Sequence, residues 1–415
     1  MSVEPGRIDR VVVVGAGQAG AQVSFSLRQW GYAGEIVLIG DEPSPPYERP
    51  PLSKDLLKGA IAEDRLFFKT TAWYAQNNVE LRTGAYATAI DRGRRAVLLA
   101  GGGELAYDAL VLATGSRPRP LPIAGADLPG VFELRTIADT RVIAAAMQPG
   151  ARVLVVGAGY IGLEVAAVAR SLGLDVTVLE AMDRVLARVA GVVVSDFFEA
   201  EHRAHGVDLR CGARLEAFEG RGKLEAVRLA DGTRIHAEVA VVGIGILPRE
   251  ELAKACGLAC DNGIVVDRDA RTSDPAVFAA GDCTRRPLVH YARSGRLESV
   301  HNAIEQGKLV AAAIVGRERP SEDVPWFWSD QYDIKLQIVG LSGGHDRVVV
   351  RGRPADRKFA AFYLREGRLL AVDAINSPME YMASKLLIQH EAKPDPDALA
   401  DPGVSMKEIV AAHRK

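Results

Sequence analysis

Val11-Val12-Val13-Val14-Gly15-Ala16-Gly17-Gln18-Ala19-Gly20 opens the chain, and Val153-Leu154-Val155-Val156-Gly157-Ala158-Gly159-Tyr160-Ile161-Gly162 repeats its form near the middle. Each is an apolar run that reads as a buried strand, followed by G-x-G-x-x-G and a helix. The first glycine permits a tight turn, the second lets backbone approach a pyrophosphate, and the third lets helix pack on strand. The pyrophosphate then rests on unpaired N–H groups at the positive helix end. One such motif is weak evidence. Two, each with strand, turn and helix in order, indicate two dinucleotides, and the simplest reason to hold two is to pass electrons between them.

Around the first fingerprint, residues 10–14, 17–30 and 35–39 read as strand, helix and strand, the expected βαβ unit. The second repeats it at 152–156, 160–172 and 175–179. Apolar strands ending in small residues follow each unit, at 107–115 and 238–245, and a third such strand, 276–282, closes on Gly281-Asp282. Ser116–Pro120 and Ile246–Pro248 break structure and mark two crossovers between domains. A long helix is expected over 299–314. From about 326 the texture changes to short alternating strands (335–339, 348–350, 359–363), and 394–402 reads as a turn-rich connector to a last short helix. The pattern predicts an α/β fold with two Rossmann-like dinucleotide-binding domains, 1–117 with 248–325 and 118–247, plus a smaller α+β C-terminal domain, 326–415.

With 415 residues the chain exceeds one ordinary domain. Lys+Arg at 51 against Asp+Glu at 53 argues against general nucleic-acid binding. No apolar run reaches membrane-spanning length, and MSVEPGRID carries no apolar signal core, so the expected location is cytoplasmic. Cys211, Cys256, Cys260 and Cys283 form no C-x-x-C. Cys256 and Cys260 have the spacing of one helical turn, but with no ligand set nearby they read as buried or incidental thiols, and no metal is expected. Without a redox disulfide, disulfide-reductase chemistry is excluded.

Glu180 closes the strand after the second fingerprint, at roughly the 20-residue offset where a carboxylate accepts both ribose hydroxyls of NAD. It would repel a 2′-phosphate, which favours NADH; the alternative is a carboxylate that merely caps a strand. Asp41 and Glu42 hold the equivalent place in the first unit. The following loop, Asp41 to Lys54, is stiffened by Pro43, Pro45, Pro46, Pro50 and Pro51 and suits the holding of Arg49 and Lys54 over a fixed ligand. Glu164, just past Gly162, is either a partner for Lys54 that also accepts from the nicotinamide amide, or a carboxylate favoured by its helix start. Trp326 and Trp328 share one side of an extended segment, as core or as ligand contacts. His290 and His301 read as surface or helix-cap residues. Arg285, Arg286, Arg293, Arg296 and Lys308 outnumber nearby acids; they form either a solvated face or a docking patch for an acidic partner.

Val111–Arg119 and Phe278–Asp282 resemble paired signatures of the two-dinucleotide flavoprotein reductases, in which the first fold binds FAD, the second binds NAD(P)H, and the second is inserted in the first. That resemblance implies a glutathione-reductase-like arrangement. Tyr47-Glu48-Arg49-Pro50-Pro51-Leu52-Ser53-Lys54 and Pro325-Trp326-Phe327-Trp328-Ser329-Asp330-Gln331 resemble, more closely, segments of the oxygenase-coupled NADH–ferredoxin reductases, the family of the putidaredoxin and aromatic-ring dioxygenase reductases. The resemblance covers essentially the whole chain.

It implies that Gly15, Gly17 and Gly20 face the FAD pyrophosphate and that Asp41 or Glu42 takes the ribose. Arg49 and Lys54 contact the flavin, with Lys54 near N5. Thr114, Gly115 and Arg119 line the FAD site, Asp282 reaches the ribityl or pyrophosphate region, Glu298 and Val300 open the last FAD-contacting helix, and Trp328 lies beside the isoalloxazine. NAD is assigned to Gly157, Gly159, Tyr160, Ile161, Gly162, Glu164, Glu180 and Gly245, and Lys54 and Glu164 to the reaction centre. The implied activity is an FAD-dependent NADH:ferredoxin oxidoreductase that reduces a [2Fe–2S] ferredoxin feeding an oxygenase such as a cytochrome P450. The alternatives are a rubredoxin reductase or NADH oxidase, or an NADH-responsive redox sensor like apoptosis-inducing factor.

Overall fold

The computed structural model describes residues 8–413, so the expectation drawn from MSVEPGRID lies largely outside the described residues. The fold is α/β, in two compact units. One comprises Met1–Glu48, Leu66–Arg117 and Leu247–Asp323; the other comprises Arg49–Arg65, Pro118–Ile246 and Val324–Lys415.

The first unit is built on a five-stranded parallel sheet in the order Val277–Ala279, Ala109–Leu112, Arg10–Val14, Glu35–Ile39, Val79–Arg82. A parallel sheet is covered on both faces, so its strands are continuously apolar rather than alternating. Val11, Val12 and Val13 accordingly have no exposed surface. Helices Gln18–Gln29 and Val300–Val315 follow their predicted spans within a residue or two. A three-stranded antiparallel sheet (Ala87–Asp91, Ala96–Leu99, Glu104–Ala106) was not anticipated from the sequence pattern.

The second unit repeats the parallel arrangement in the order Asp208–Arg210, Asp175–Leu179, Arg152–Val156, Val239–Val242, Val131–Glu133, with helix Tyr160–Ser171 after the glycine turn. It also holds a five-stranded antiparallel sheet in the order Trp326–Gln331, Ile334–Gly340, Arg368–Ile375, Lys358–Arg365, Arg347–Arg353, followed by helix Pro378–Gln389. Arg368–Ile375 was missed because it lies inside that sheet. Leu369 through Ile375 are all buried, Asp373 among them, and a run buried on both faces carries no period-2 signal. The tail read as a connector contains a helical turn of its own, Pro396–Ala400.

The two glycine turns are near copies. Gly15 (φ +114°) and Gly157 (φ +100°) occupy backbone regions that favour glycine, and a Cβ there would lie 2.1 Å and 2.5 Å from the carbonyl oxygens of Ala113 and Gly243. A Cβ on Gly20 or Gly162 would lie 2.0 Å from the carbonyl oxygen of Gly15 or Gly157. Gly17 and Gly159 have nothing within 4 Å, so each turn is packed at its first and third glycines and open at its second. Gly162→Ala should therefore lower stability by roughly 1–3 kcal/mol through overpacking against backbone, whereas Gly159→Ala should leave the thermal unfolding midpoint within about a degree.

Candidate functional site

In the first unit the residues singled out from sequence are tied to local partners. Asp41 pairs with Arg249 (2.8 Å), and Glu42 accepts from the Tyr47 hydroxyl (2.5 Å). Thr114 Oγ1 donates to the carbonyl of Arg249 (2.5 Å), whose N–H donates to the carbonyl of Gly115 (2.9 Å). Asp282 accepts from Ser116 (2.9 Å). Val300 begins the helix capped by Ser299, which accepts from the Asn302 N–H, and Glu298 precedes the cap, exposed. Arg249 and Tyr47 were not singled out; they orient the two carboxylates, and nothing in their local sequence marks that role.

In the second unit Glu180 accepts from the N–H groups of Ala158 (2.7 Å) and Met182 (2.9 Å). Its carboxylate thus lies against the middle of the glycine turn. Gly245 (φ +104°) accepts from the N–H of Arg119, whose side chain is exposed. Ile161 is exposed, and Tyr160 packs its ring on Phe327 at 4.7 Å. Arg49 donates to the carbonyl of Arg135 (2.5 Å).

The centre of this unit is Glu164, 3% exposed. Its Oε1 lies 3.1 Å from Lys54 Nζ and accepts from Ser329 at 2.7 Å, while Oε2 accepts from Ser53 at 2.6 Å. Burial pushes the Glu164 pKa up; Lys54, foremost, and the two hydroxyls oppose that shift. The ammonium of Lys54 also stands 5.9 Å from the Trp328 ring and 4.0 Å from Asp330. Ser53 and Ser329 were not singled out as site residues. The signal existed for Ser329: on a strand, alternation puts Trp326, Trp328 and Asp330 on one face and Phe327, Ser329 and Gln331 on the other. The Trp326 and Trp328 rings meet at 5.5 Å, while Ser329 and Gln331 are buried.

Several expectations require correction. The basic run does not form an open patch. Arg286 is 9% exposed, beside Asn302 (3.3 Å) and Glu322 (3.7 Å), and burial pulls its pKa down. Arg296 is largely covered and pairs with Glu298 at 2.5 Å; Arg285 pairs with Asp261 at 3.2 Å. Arg293 is exposed. Arg286 is desolvated among interior partners, and Arg296, largely covered, is neutralised by the exposed carboxylate of Glu298, so both leave the expected docking patch. His301 is buried, 3.3 Å from Asp323, and is not a surface residue. Cys256 and Cys260 do not share a helix: the helix ends at Ala255, and Gly257 (φ +77°) turns the chain away. All four cysteines are free. Burial raises the thiols of Cys211 and Cys260 to about 11, which leaves them poor nucleophiles.

A chain that builds the same strand–glycine–helix cradle twice is a two-dinucleotide α/β oxidoreductase. Residues 9–307 match the model of the pyridine nucleotide-disulphide oxidoreductases, and residues 326–410 match that of the reductase C-terminal domain. The chain belongs to the pyridine nucleotide-disulphide oxidoreductase family. It is 46% identical over 410 residues to putidaredoxin reductase CamA of Pseudomonas putida, covering 97% of each chain. It is 42% identical to the ferredoxin–NAD(+) reductase component of the anthranilate 1,2-dioxygenase system of Burkholderia cepacia, covering 96% of this chain and 98% of that one. The crystal structure of the covalent putidaredoxin reductase–putidaredoxin complex superposes with a TM-score of 0.96 at 45% identity, covering 98% of this chain and 99% of that one.

Removing the cation tests the Lys54–Glu164 pair. In Lys54→Met the folded-state pKa of Glu164 rises further above its ordinary 4.5. The added destabilisation should be absent below that ordinary value, where the carboxyl is protonated in both states, and should grow as pH rises through the folded pKa. Urea unfolding should show a loss of about 3 kcal/mol at pH 8 and much less at pH 5, and Glu164→Gln in the same chain should recover part of it.

Proposed function

We propose that this chain is an FAD-dependent NADH:ferredoxin oxidoreductase. It delivers electrons from NADH through FAD to a [2Fe–2S] ferredoxin, which supplies an oxygenase such as a cytochrome P450. The observation that carries the reading is the pair of glycine turns open at Gly17 and Gly159, where backbone meets no side chain and a pyrophosphate has room. Full-length similarity to putidaredoxin reductase and to a reductase whose name states ferredoxin and NAD(+) supports the nicotinamide nucleotide and the ferredoxin partner, and membership of the pyridine nucleotide-disulphide oxidoreductase family supports the flavin. No helix among the described residues is long and apolar enough to cross a membrane; we place the protein in the cytoplasm.

The assignment gives residues 1–117 and 248–325 to FAD, 118–247 to NAD, and 326–415 to a C-terminal domain. Gly15, Gly17, Gly20, Thr114, Gly115 and Asp282 would hold the body of FAD, Asp41 or Glu42 its ribose, and Val300 begins a helix whose positive end would favour negative charge on a flavin bound there. By resemblance to the family, Arg49, Lys54, Arg119, Glu298 and Trp328 are the further candidates for flavin contact. Gly157, Gly159, Tyr160, Ile161, Gly162, Glu164, Glu180 and Gly245 hold NADH. Bound FAD supplies the chemistry that side chains lack, accepting a hydride and releasing electrons one at a time. The protein contributes position and field. Lys54 presents a cation fixed by Glu164, and Glu164 offers an ionised acceptor to the nicotinamide amide. Glu180 accepts the ribose hydroxyls and opposes a phosphate there.

Purified protein should be yellow, release FAD on denaturation, and bleach faster with NADH than with NADPH in stopped flow. Glu180→Gln should narrow that preference; an unchanged ratio removes Glu180 from the ribose site. Arg293→Glu, at an exposed basic side chain of the run, should raise the KM for ferredoxin roughly two- to fivefold at low ionic strength while ferricyanide reduction by NADH stays constant. Equal effects on both acceptors would place the docking surface elsewhere.

A further inference from the structure

Ser329, Gln331, His202 and Tyr332 lie end to end behind Glu164. Ser329 Oγ is 2.7 Å from Glu164 Oε1 and 3.2 Å from Gln331 Nε2. Gln331 Oε1 is 2.8 Å from His202 Nε2, and His202 Nδ1 is 3.1 Å from the Tyr332 hydroxyl. Ser329, Gln331 and His202 are buried to 1% exposure or less. The outer end reaches solvent: Tyr332 stacks on the exposed ring of His205, with centroids 3.7 Å apart and planes at 12°. Tyr332 also keeps a left-handed backbone (φ +56°), a conformation unusual for a bulky residue, at the turn that brings its hydroxyl to His202.

We propose that these four residues form a polarised hydrogen-bond chain that keeps the buried carboxylate of Glu164 ionised and aimed, and that they are positioning residues for it. The direction follows from the charge at one end. An ionised Glu164 accepts only, so Ser329 must donate its O–H to it. Ser329 Oγ then accepts from the amide N–H₂ of Gln331, which turns the amide oxygen to His202. His202 therefore carries its proton on Nε2, and Nδ1 accepts from Tyr332. Every donor points towards Glu164, and bonds polarised in one direction reinforce one another in a low-dielectric interior. Burial holds the His202 pKa down to about 4, so the ring stays neutral and the chain intact at physiological pH.

The chain carries no proton through the protein, because the Gln331 amide cannot relay one without losing its own bonding. Its effect is on affinity: each donor favours the carboxylate over the acid. The other groups facing Glu164 are Lys54, Ser53 and the electrostatically coupled phenol of Tyr160, which also feels Asp373. Asp330 stands near Lys54, and His205, Glu201 and Arg170 surround the outer end. None of these lies on the path from Ser329 to Tyr332. Only the consequence for NADH rests on the function proposed above.

The test reads Glu164 and His202 directly in the holoprotein. The infrared carboxyl band of Glu164, identified by its loss in Glu164→Gln, is titrated in the parent and in Ser329→Ala, Gln331→Met and Tyr332→Phe. The midpoint should rise by about one pH unit in Ser329→Ala, a roughly tenfold change in proton affinity. It should rise by a smaller, measurable amount in Gln331→Met, and least in Tyr332→Phe. A shift in Ser329→Ala alone would overturn the chain, since Ser329 would then act by itself. Nitrogen NMR of the unmutated protein with labelled histidine guards against a variant that fails to fold. His202 should be the Nε2–H tautomer at neutral pH, and an Nδ1–H tautomer would reverse the required direction and overturn the proposal. Slower reduction by NADH in variants with a raised midpoint would link the chain to turnover. Unchanged reduction despite a raised midpoint would overturn the role of Glu164 at the nicotinamide but leave the chain standing.

Discussion

A carboxylate cannot be placed 3% exposed in an interior without partners, and the construction of the second unit follows from the partners Glu164 requires. Lys54 and Ser53 come from Arg49–Arg65, Glu164 from the helix behind the second glycine turn, and Ser329 from the first strand of the antiparallel sheet. Three stretches remote in sequence meet at one pair of oxygens. The proline-rich stretch ends in a short 3-10 turn, Pro50–Ser53, that delivers Ser53 and Lys54 to the same group. A flexible loop would lose much of that contact to conformational entropy.

The doubled glycine turn sets a second constraint. In both turns the first and third glycines are closed by backbone oxygens and the second faces open space. The closed positions are demanded by the fold: they let a helix start directly on the end of a parallel strand. The open position is demanded only by something that must approach the backbone. The acids nearby are held in place by neighbours, Asp41 by Arg249, Glu42 by Tyr47 and Glu180 by the N–H groups of Ala158 in the glycine turn and of Met182. Each is thereby set in place around its turn.

The basic stretch after Asp282 shows why charge counted along a sequence is a poor guide to surface field. Arg286 lies on a strand at whose buried face its guanidinium meets Asn302 and Glu322, and Arg296 is drawn to Glu298. Two of the neutralising acids, Asp261 for Arg285 and Glu322 for Arg286, lie outside the stretch that was counted, so local counting finds an excess that the folded protein reduces. The same holds for His301, which sits on the first turn of a helix whose buried side it occupies.

By itself the sequence determined the central parallel strands, the helices that follow the glycine turns and the turns themselves, because continuous apolar runs and G-x-G-x-x-G are local patterns read within one βαβ unit; the short outer strands Val79–Arg82, Val131–Glu133 and Asp208–Arg210 came only from the fold. It also placed Lys54 in a braced segment and Glu164 at a helix start, and named the pairing of the two as one of two readings. Only the tertiary structure showed that pairing. It alone showed that Ser53 and Ser329 share the carboxylate, that a path of donors runs from Tyr332 to Glu164, that Arg286 is spent on buried partners and that Arg296 is covered and paired with Glu298. It likewise supplied the sheet strand Arg368–Ile375, whose buried neighbours on both sides erase the alternation that marks an exposed strand. A pattern within a few residues reports its own periodicity, whereas the cost of burying a charge is settled by atoms that arrive from elsewhere in the chain.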